Sequence, residues 1–250
     1  MKIVVIGGSG LVGSKLVARL RASGHEAVAA SPQTGVNTLT GEGLADAMKG
    51  AEVVVDVSNS PSLEGGAALS FFTTSTRNVL AAEEVAGVRH HVVLSIVGTE
   101  RLSESGYFRA KVAQEELIRE SGVPYTIVHS TQFFELVNGI ADAATEGDTV
   151  RLSHALIQPI AADDVAEAMA AASVGAPKNG TIEVAGPEQY GMDDLVRKAL
   201  SARGDARRVA LDERAGYFGA PLEEKTLVPG EGALVFETRF DDWLSRSASP

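Results

Sequence analysis

The 250-residue chain contains no cysteine. That absence excludes disulfides, thiolate nucleophiles and cysteine-ligated zinc. Cations are also scarce: 22 Lys and Arg stand against 33 Asp and Glu, a formal net charge of -11. The average field repels a nucleic-acid backbone, so neither DNA nor RNA is the expected partner. No apolar run approaches the roughly 18 residues of a membrane span. Lys2 and the four apolar residues after it are too short for a signal-peptide core. The expectation is a soluble cytoplasmic protein with no membrane partner. Oligomeric state is not legible.

What is present is an ordinary globular composition, 44% hydrophobic and 22% charged, on a chain long enough to bury a substantial core. The most informative stretch is at the start. Lys2-Ile3-Val4-Val5-Ile6 is a β-type run, and it leads directly into Gly7-Gly8-Ser9-Gly10-Leu11-Val12-Gly13. A helical pattern follows. Strand, glycine turn and helix in this order form a phosphate cradle. Gly7 suits the tight turn, Gly10 lets the backbone approach a pyrophosphate, and Gly13 lets the helix lie close to the strand. The amides of Leu11, Val12 and Gly13 then face the anion.

Apolar runs at Ile3–Ile6, Ala27–Ala30, Val53–Val57, Val92–Val97 and Tyr125–Val128 lack polar alternation, as strands covered on both faces do. Helical patterns separate them at Leu11–Ser23, Leu44–Met48, Ala67–Ala86, Phe108–Ser121 and Phe133–Ala144. This alternation predicts a doubly wound α/β fold on a parallel sheet. A poor extra strand is expected near Gly35–Asn37.

The last third reads differently. It predicts strands at Val150–Leu152 and Thr181–Val184, and a helix over Asp163–Ala172 with Asp163 as N-cap. Further helices are expected over Gly191–Ala202 and Phe236–Leu244. Residues 203–232 resist assignment, and Ser245–Pro250 is expected to fray. The division expected is a nucleotide-binding part over 1–150 and a small C-terminal α/β lobe over 151–250, built on the same sheet.

Ligands of open α/β sheets bind beyond the carboxyl ends of the strands. One such end carries Ser95, and twelve residues on comes Tyr107-Phe108-Arg109-Ala110-Lys111. Tyr and Lys at i,i+4 share a helix face. An ammonium beside a phenol lowers its pKa, and a phenol so tuned exchanges a proton with a carbonyl oxygen. The expected roles are Tyr107 as proton donor, Lys111 as its tuner and a ribose anchor, and Ser95 as the carbonyl orienter. The bland alternative is a half-buried Tyr with a solvated Lys.

These residues resemble an atypical short-chain dehydrogenase/reductase of the NmrA-like, NAD(P)-binding type. The resemblance extends over Gly122-Val123-Pro124-Tyr125-Thr126-Ile127-Val128, over Gln158-Pro159-Ile160-Ala161-Ala162-Asp163-Asp164-Val165-Ala166, and over Val184-Ala185-Gly186-Pro187-Glu188. It implies a Rossmann-type sheet, a C-terminal substrate lobe and a catalytic set at Ser95, Tyr107 and Lys111. Where such chains often carry Arg-Pro-Gly, this one has His129-Ser130-Thr131-Gln132. Ser130 is expected at the cofactor, and His129 is expected to be satisfied by backbone.

The ribose window, Ala29-Ala30-Ser31-Pro32-Gln33-Thr34-Gly35, holds no carboxylate. A 2′-phosphate is therefore not repelled there, and Ser31, Gln33 and Thr34 can donate to it. NADP(H) is the preferred cofactor and NAD(H) the possible one. Ser58, Asn59 and Ser60 are expected to border the adenosine. Phe133, Phe134, Tyr217 and Phe218 are expected to line a pocket for a small-molecule substrate. His90-His91 lacks acidic partners at ligand spacing, so no metal site is expected.

The function expected is NADPH-dependent reduction of a small carbonyl, enone or quinone-like compound. Two alternatives stay open: a non-catalytic NAD(P) redox sensor that binds a protein, and a nucleotide-sugar epimerase or dehydratase.

Overall fold

The computed structural model describes residues 1–247. The first elements are β1 (Lys2–Ile6), α1 (Leu11–Ala22), β2 (Glu26–Ala30), α2 (Leu44–Met48), β3 (Val53–Asp56), α3 (Gly65–Ala86), β4 (His90–Ile96), α4 (Gly106–Glu120) and β5 (Tyr125–Ser130). There follow α5 (Val137–Ala143), β6 (Thr145–Glu146), β7 (Thr149–Leu152), β8 (Leu156–Ile157), α6 (Ala162–Val174) and β9 (Gly180–Ala185). The chain closes with β10 (Tyr190–Gly191), α7 (Met192–Ala202), β11 (Arg208–Leu211), β12 (Leu234–Val235) and α8 (Phe240–Ser247).

Seven strands form the main sheet in the order β12-β9-β5-β4-β3-β1-β2. β1 pairs parallel with β2 on one side and β3 on the other. The strand order thus reverses at β1, which makes the mouth between β1 and β3 the topological switch point where such sheets bind ligands. The expected parallel α/β fold is the one found.

Strands β1 and β3 form where β-branched residues are continuous. Ile3, Val4, Val5, Val54 and Val55 have no exposed surface. On one face, Val4, Ile6 and Val54 pack with Leu44 and Met48 of α2 and Val79 of α3. On β4 and β5, Val93 and Ile127 pack with Ile118 of α4.

By compactness the chain divides into two units that interleave in sequence. One comprises Met1–Ser95, Gly106–His129 and Val165–Ile182. The other comprises Ile96–Ser105, Ser130–Asp164 and the described residues from Glu183 onward. The cut expected at residue 150 followed chain order, and compactness does not.

Several local expectations need correcting. Gly35–Asn37 is no strand; Pro32–Thr34 makes a 3-10 turn that ends at Gly35. Its local capping hydrogen bonds outcompete sheet pairing. Asp163 lies in the first turn of α6 rather than capping it, since the helix already begins at Ala162. The last helix starts at Phe240, beyond Phe236. It runs through Ser245–Ser247, so these residues do not fray in the way expected; residues 248–250 lie outside the described part.

Candidate active site

The loop from β1 to α1 is shaped by what glycine lacks. Gly7 has φ +77°, and a Cβ there would stand 2.9 Å from the Ser58 backbone beyond β3. A Cβ on Gly13 would stand 2.1 Å from the Gly7 carbonyl oxygen, so α1 can seat against its own loop only with glycine there. Helix α1 starts at Leu11 without a side-chain cap, and Gly10 takes the N-cap position. Its first amides thus remain for an anion. Beside Gly7, the Ser58 hydroxyl is buried with no hydrogen-bond partner among the described residues. A cradle with no room for Cβ atoms and an orphaned hydroxyl at its edge fit a dinucleotide phosphate.

The turn after β2 is less available than its composition suggested. Ser31 and Thr34 cap each other's backbone. The Thr34 hydroxyl lies 2.9 Å from the Ala29 carbonyl and donates inward. Ser31 is buried. The Thr34 hydroxyl is thus committed to backbone, and the Ser31 side chain accepts within the cap. Gln33 is exposed, and its carbonyl accepts the Ser9 hydroxyl at 3.0 Å, so its amide hydrogens point elsewhere.

At the end of β3, buried Asp56 accepts the Ser58 amide at 2.8 Å and fixes the next turn. That turn brings Asn59 to Tyr107, whose phenol donates to Asn59 Oδ1 at 2.7 Å. Ser60 accepts the Ser62 amide, a local turn contact. Tyr107 packs edge-on against Phe72 and Phe108. Burial pushes its phenol up to about 12, against a smaller lowering by Asn59.

Lys111 does not act as expected. Its ammonium turns into the protein, donating to the Leu94 carbonyl at 3.0 Å and to Gln114 Oε1, above the Phe72 ring. Gln114 in turn donates to Asp56 at 3.2 Å. Burial brings the ammonium down to about 8, opposed by the charges of Asp56 and Glu115. The i,i+4 spacing put Lys111 one turn from Tyr107, but the amine is drawn to acceptors beneath the helix, and Tyr107 is raised rather than lowered.

Ser95 is also directed inward. Its hydroxyl donates to Glu115 Oε1 at 2.5 Å, and only 1% of the residue is exposed. The same oxygen meets His129 Nε2 at 2.8 Å, and Arg119 holds the other at 2.7 Å. Burial pushes the Glu115 carboxyl up, but hydrogen bonds from His129 and Ser95 and nearby positive charge hold it below its ordinary value. Ser95 therefore ties β4 to α4, and its hydroxyl is committed to Glu115. His129 is satisfied by a carboxylate and not by backbone.

Other expected positions separate. Phe134 is 1% exposed and packs at 5.0 Å from Phe240 and 5.7 Å from Trp243, so it is core. Phe133 is half-buried and bridges to Ile160. Ser130 is buried, and its carbonyl accepts the Val97 amide. Tyr217 and Phe218 both line a cavity in the second unit.

Sequence reasoning missed two groups. Thr131 and Gln132 are buried after β5, and the Thr131 hydroxyl and both amide atoms of Gln132 lack partners among the described residues. Their place after a strand end was a signal. The other is His91, fully buried 2.7 Å from Glu83. The acid comes from the preceding helix, eight residues earlier, a spacing with no metal-site precedent to flag it.

The fold and the glycine cradle define a dinucleotide-binding protein. The NAD(P)H-binding family matches residues 7–174, and the chain belongs to it. A curated relative, "Photosystem II assembly factor Ycf39" of Cyanophora paradoxa, is 26% identical; the match covers 54% of this chain and 46% of that protein. The chain spans about half the length of the curated relative it matches. Among solved structures, a short-chain dehydrogenase/reductase superfamily protein from Agrobacterium tumefaciens with bound NAD is 18% identical, with TM-score 0.73 over 99% of this chain and 96% of that one. MoeE5 in complex with UDP-glucose and NAD is 17% identical, with TM-score 0.72 over the whole of both chains. The dTDP-glucose 4,6-dehydratase DesIV of Streptomyces venezuelae, with NAD bound, is 16% identical, with TM-score 0.72 over 99% and 96%. These structures share the fold. Among the described residues, no helix is long and apolar enough to cross a membrane.

Proposed function

We propose that this chain is an NADPH-dependent oxidoreductase that reduces a small carbonyl, enone or quinone-like compound, with Tyr107 as the proton donor. The observation that carries the reading is the placement of that phenol: it donates to Asn59 at 2.7 Å, on the turn whose Ser58 backbone packs against Gly7 of the cradle. Burial holds it near 12, so it is protonated at neutral pH and has a proton to give to a carbonyl oxygen.

The nicotinamide cofactor, when bound, supplies the hydride. Tyr107 gives its phenolic proton to the carbonyl oxygen, so hydride and proton together make the alcohol. Asn59 holds the phenol in place until a substrate oxygen takes over as acceptor. The Gly7–Gly13 loop and the amides of α1 hold the pyrophosphate, and Ser58 adds a hydroxyl at the same mouth. NADP(H) is preferred because the turn after β2 carries no carboxylate and leaves Gln33 exposed.

One observation favours the redox-sensor alternative: Ser95 and Lys111 are both engaged inside the protein, away from Tyr107. A sensor needs the cradle and not the acid. The discriminating experiment is turnover of NADPH and NADH over a panel of aldehydes, ketones, enones and quinones, with calorimetric titration of both cofactors. Turnover with NADPH and its tighter binding support the oxidoreductase. Binding without turnover of any compound supports the sensor, and tighter NADH reverses the cofactor preference.

A further inference from the structure

The second unit contains a cavity of about 480 Å³, within the range of small-molecule sites. Ile140 and Leu152 form its buried apolar floor, 4% and 2% exposed. Tyr217 and Phe218 stand on its wall with ring centroids 4.7 Å apart, edge to face.

Phe218 is held there by an unusual backbone. Tyr217 and Ala220 exchange amide–carbonyl bonds at 2.7 and 3.1 Å across Phe218 and Gly219. Both central residues have positive φ, +46° for Phe218 and +86° for Gly219. That is a type I′ turn, whose first central position takes Asn, Asp or Gly. A bulky aromatic there is a true outlier. The only other non-glycine with positive φ among the described residues is Asn179, a type that tolerates it. Strain of this kind persists where a side chain has to be presented to a ligand.

The charges on the wall name the ligand. Arg151 is paired with Glu146 at 2.9 Å. Asp212 accepts the Arg214 amide at 3.0 Å. The Arg214 side chain is exposed at the cavity and makes no ion pair among the described residues. The donors free to take a ligand are therefore one guanidinium fork beside an apolar, aromatic-walled space. A dianion would meet Glu146 and Asp212; a single carboxylate matches one guanidinium.

We infer that this cavity is a binding site for a planar unsaturated carboxylate, its ring system against Phe218 and Tyr217 and its carboxylate on Arg214. The site shares no residue with the cofactor cradle and needs no hydride chemistry, so it stands or falls apart from the oxidoreductase reading.

The test is calorimetric titration of the full chain, without cofactor, using 2-naphthoate, its neutral analogue 2-naphthamide and the dianion 2-naphthyl phosphate. Naphthoate binds at one site, and the other two bind about tenfold more weakly. Arg214→Gln weakens naphthoate about tenfold and removes its advantage over the amide. Phe218→Asn keeps the turn with its preferred residue; it leaves Tm unchanged or raised and weakens naphthoate about tenfold. Absence of saturable naphthoate binding overturns the inference. So does unchanged affinity in both variants, or a lowered Tm in Phe218→Asn with affinity intact, which makes the ring a packing element.

Discussion

At the scale of single residues, the sequence placed Tyr107 and Lys111 on one helix but did not show the direction of either side chain. Spacing places two side chains on one helix face; it does not say which acceptors lie beneath that face. Lys111 finds the Leu94 carbonyl and Gln114, and both are invisible until β4 and α4 are packed. The consequence is a pH signature. Lys111 sits at about 8 and Tyr107 at about 12. Burial disfavours the Lys111 charge in the folded chain, so between about 8 and the ordinary 10.5 the unfolded chain binds a proton that the folded one refuses. Stability therefore falls as pH drops from 10.5 to about 8, and Lys111→Met flattens that slope in urea denaturation across the window.

At the scale of elements, the β1–α1 unit was legible nearly residue by residue. Glycines between a β-branched run and an amphipathic helix admit few other structures. Gly13→Ala puts a Cβ 2.1 Å from the Gly7 carbonyl oxygen, so the loop must deform. The expected cost is about 1–3 kcal/mol, with cofactor binding lost by titration. Helix α4 was legible as a helix, while its inner face was not. Lys111, Gln114 and Glu115 are all buried, and a reading that assigns charge to solvent misses them. The same holds for Glu83 of α3, buried against His91. His91 lies above its ordinary value: burial pulls it down, and Glu83 together with the charge of Asp56 outweighs it. Glu83→Ala leaves that imidazole buried without its carboxylate. The expected loss is about 3 kcal/mol, read from urea denaturation.

At the scale of the whole molecule, the sequence showed the sheet class because the central strands each hold a short apolar stretch, as in Ile3–Ile6, Val53–Val55 and Val92–Leu94. It did not show how the chain divides. The two compact units exchange segments at residues 96, 106, 130, 165 and 183, and local patterns carry no signal of such exchange. Global stability carries one further signature. His90 is buried against Thr126 at 2.9 Å and is pulled down to about 4, by burial first and by the charge of His91 second. The unfolded imidazole takes a proton near 6.5 that the folded one refuses. Stability therefore falls as pH drops from about 6.5 to 4. His91, being raised, keeps its contribution through that window and loses it only at higher pH. Urea denaturation across the window shows a smaller decline for His90→Gln than for the parent chain.

The proposed reduction needs a buried, protonated phenol at Tyr107 to complete a hydride transfer. The most direct test is Tyr107→Phe, measured twice on the same preparation: NADPH affinity by calorimetry and single-turnover oxidation of bound NADPH by a compound the parent chain reduces. Affinity unchanged with the rate down about a hundredfold or more is the predicted result. A variant that oxidises NADPH at the parent rate contradicts the role assigned to Tyr107.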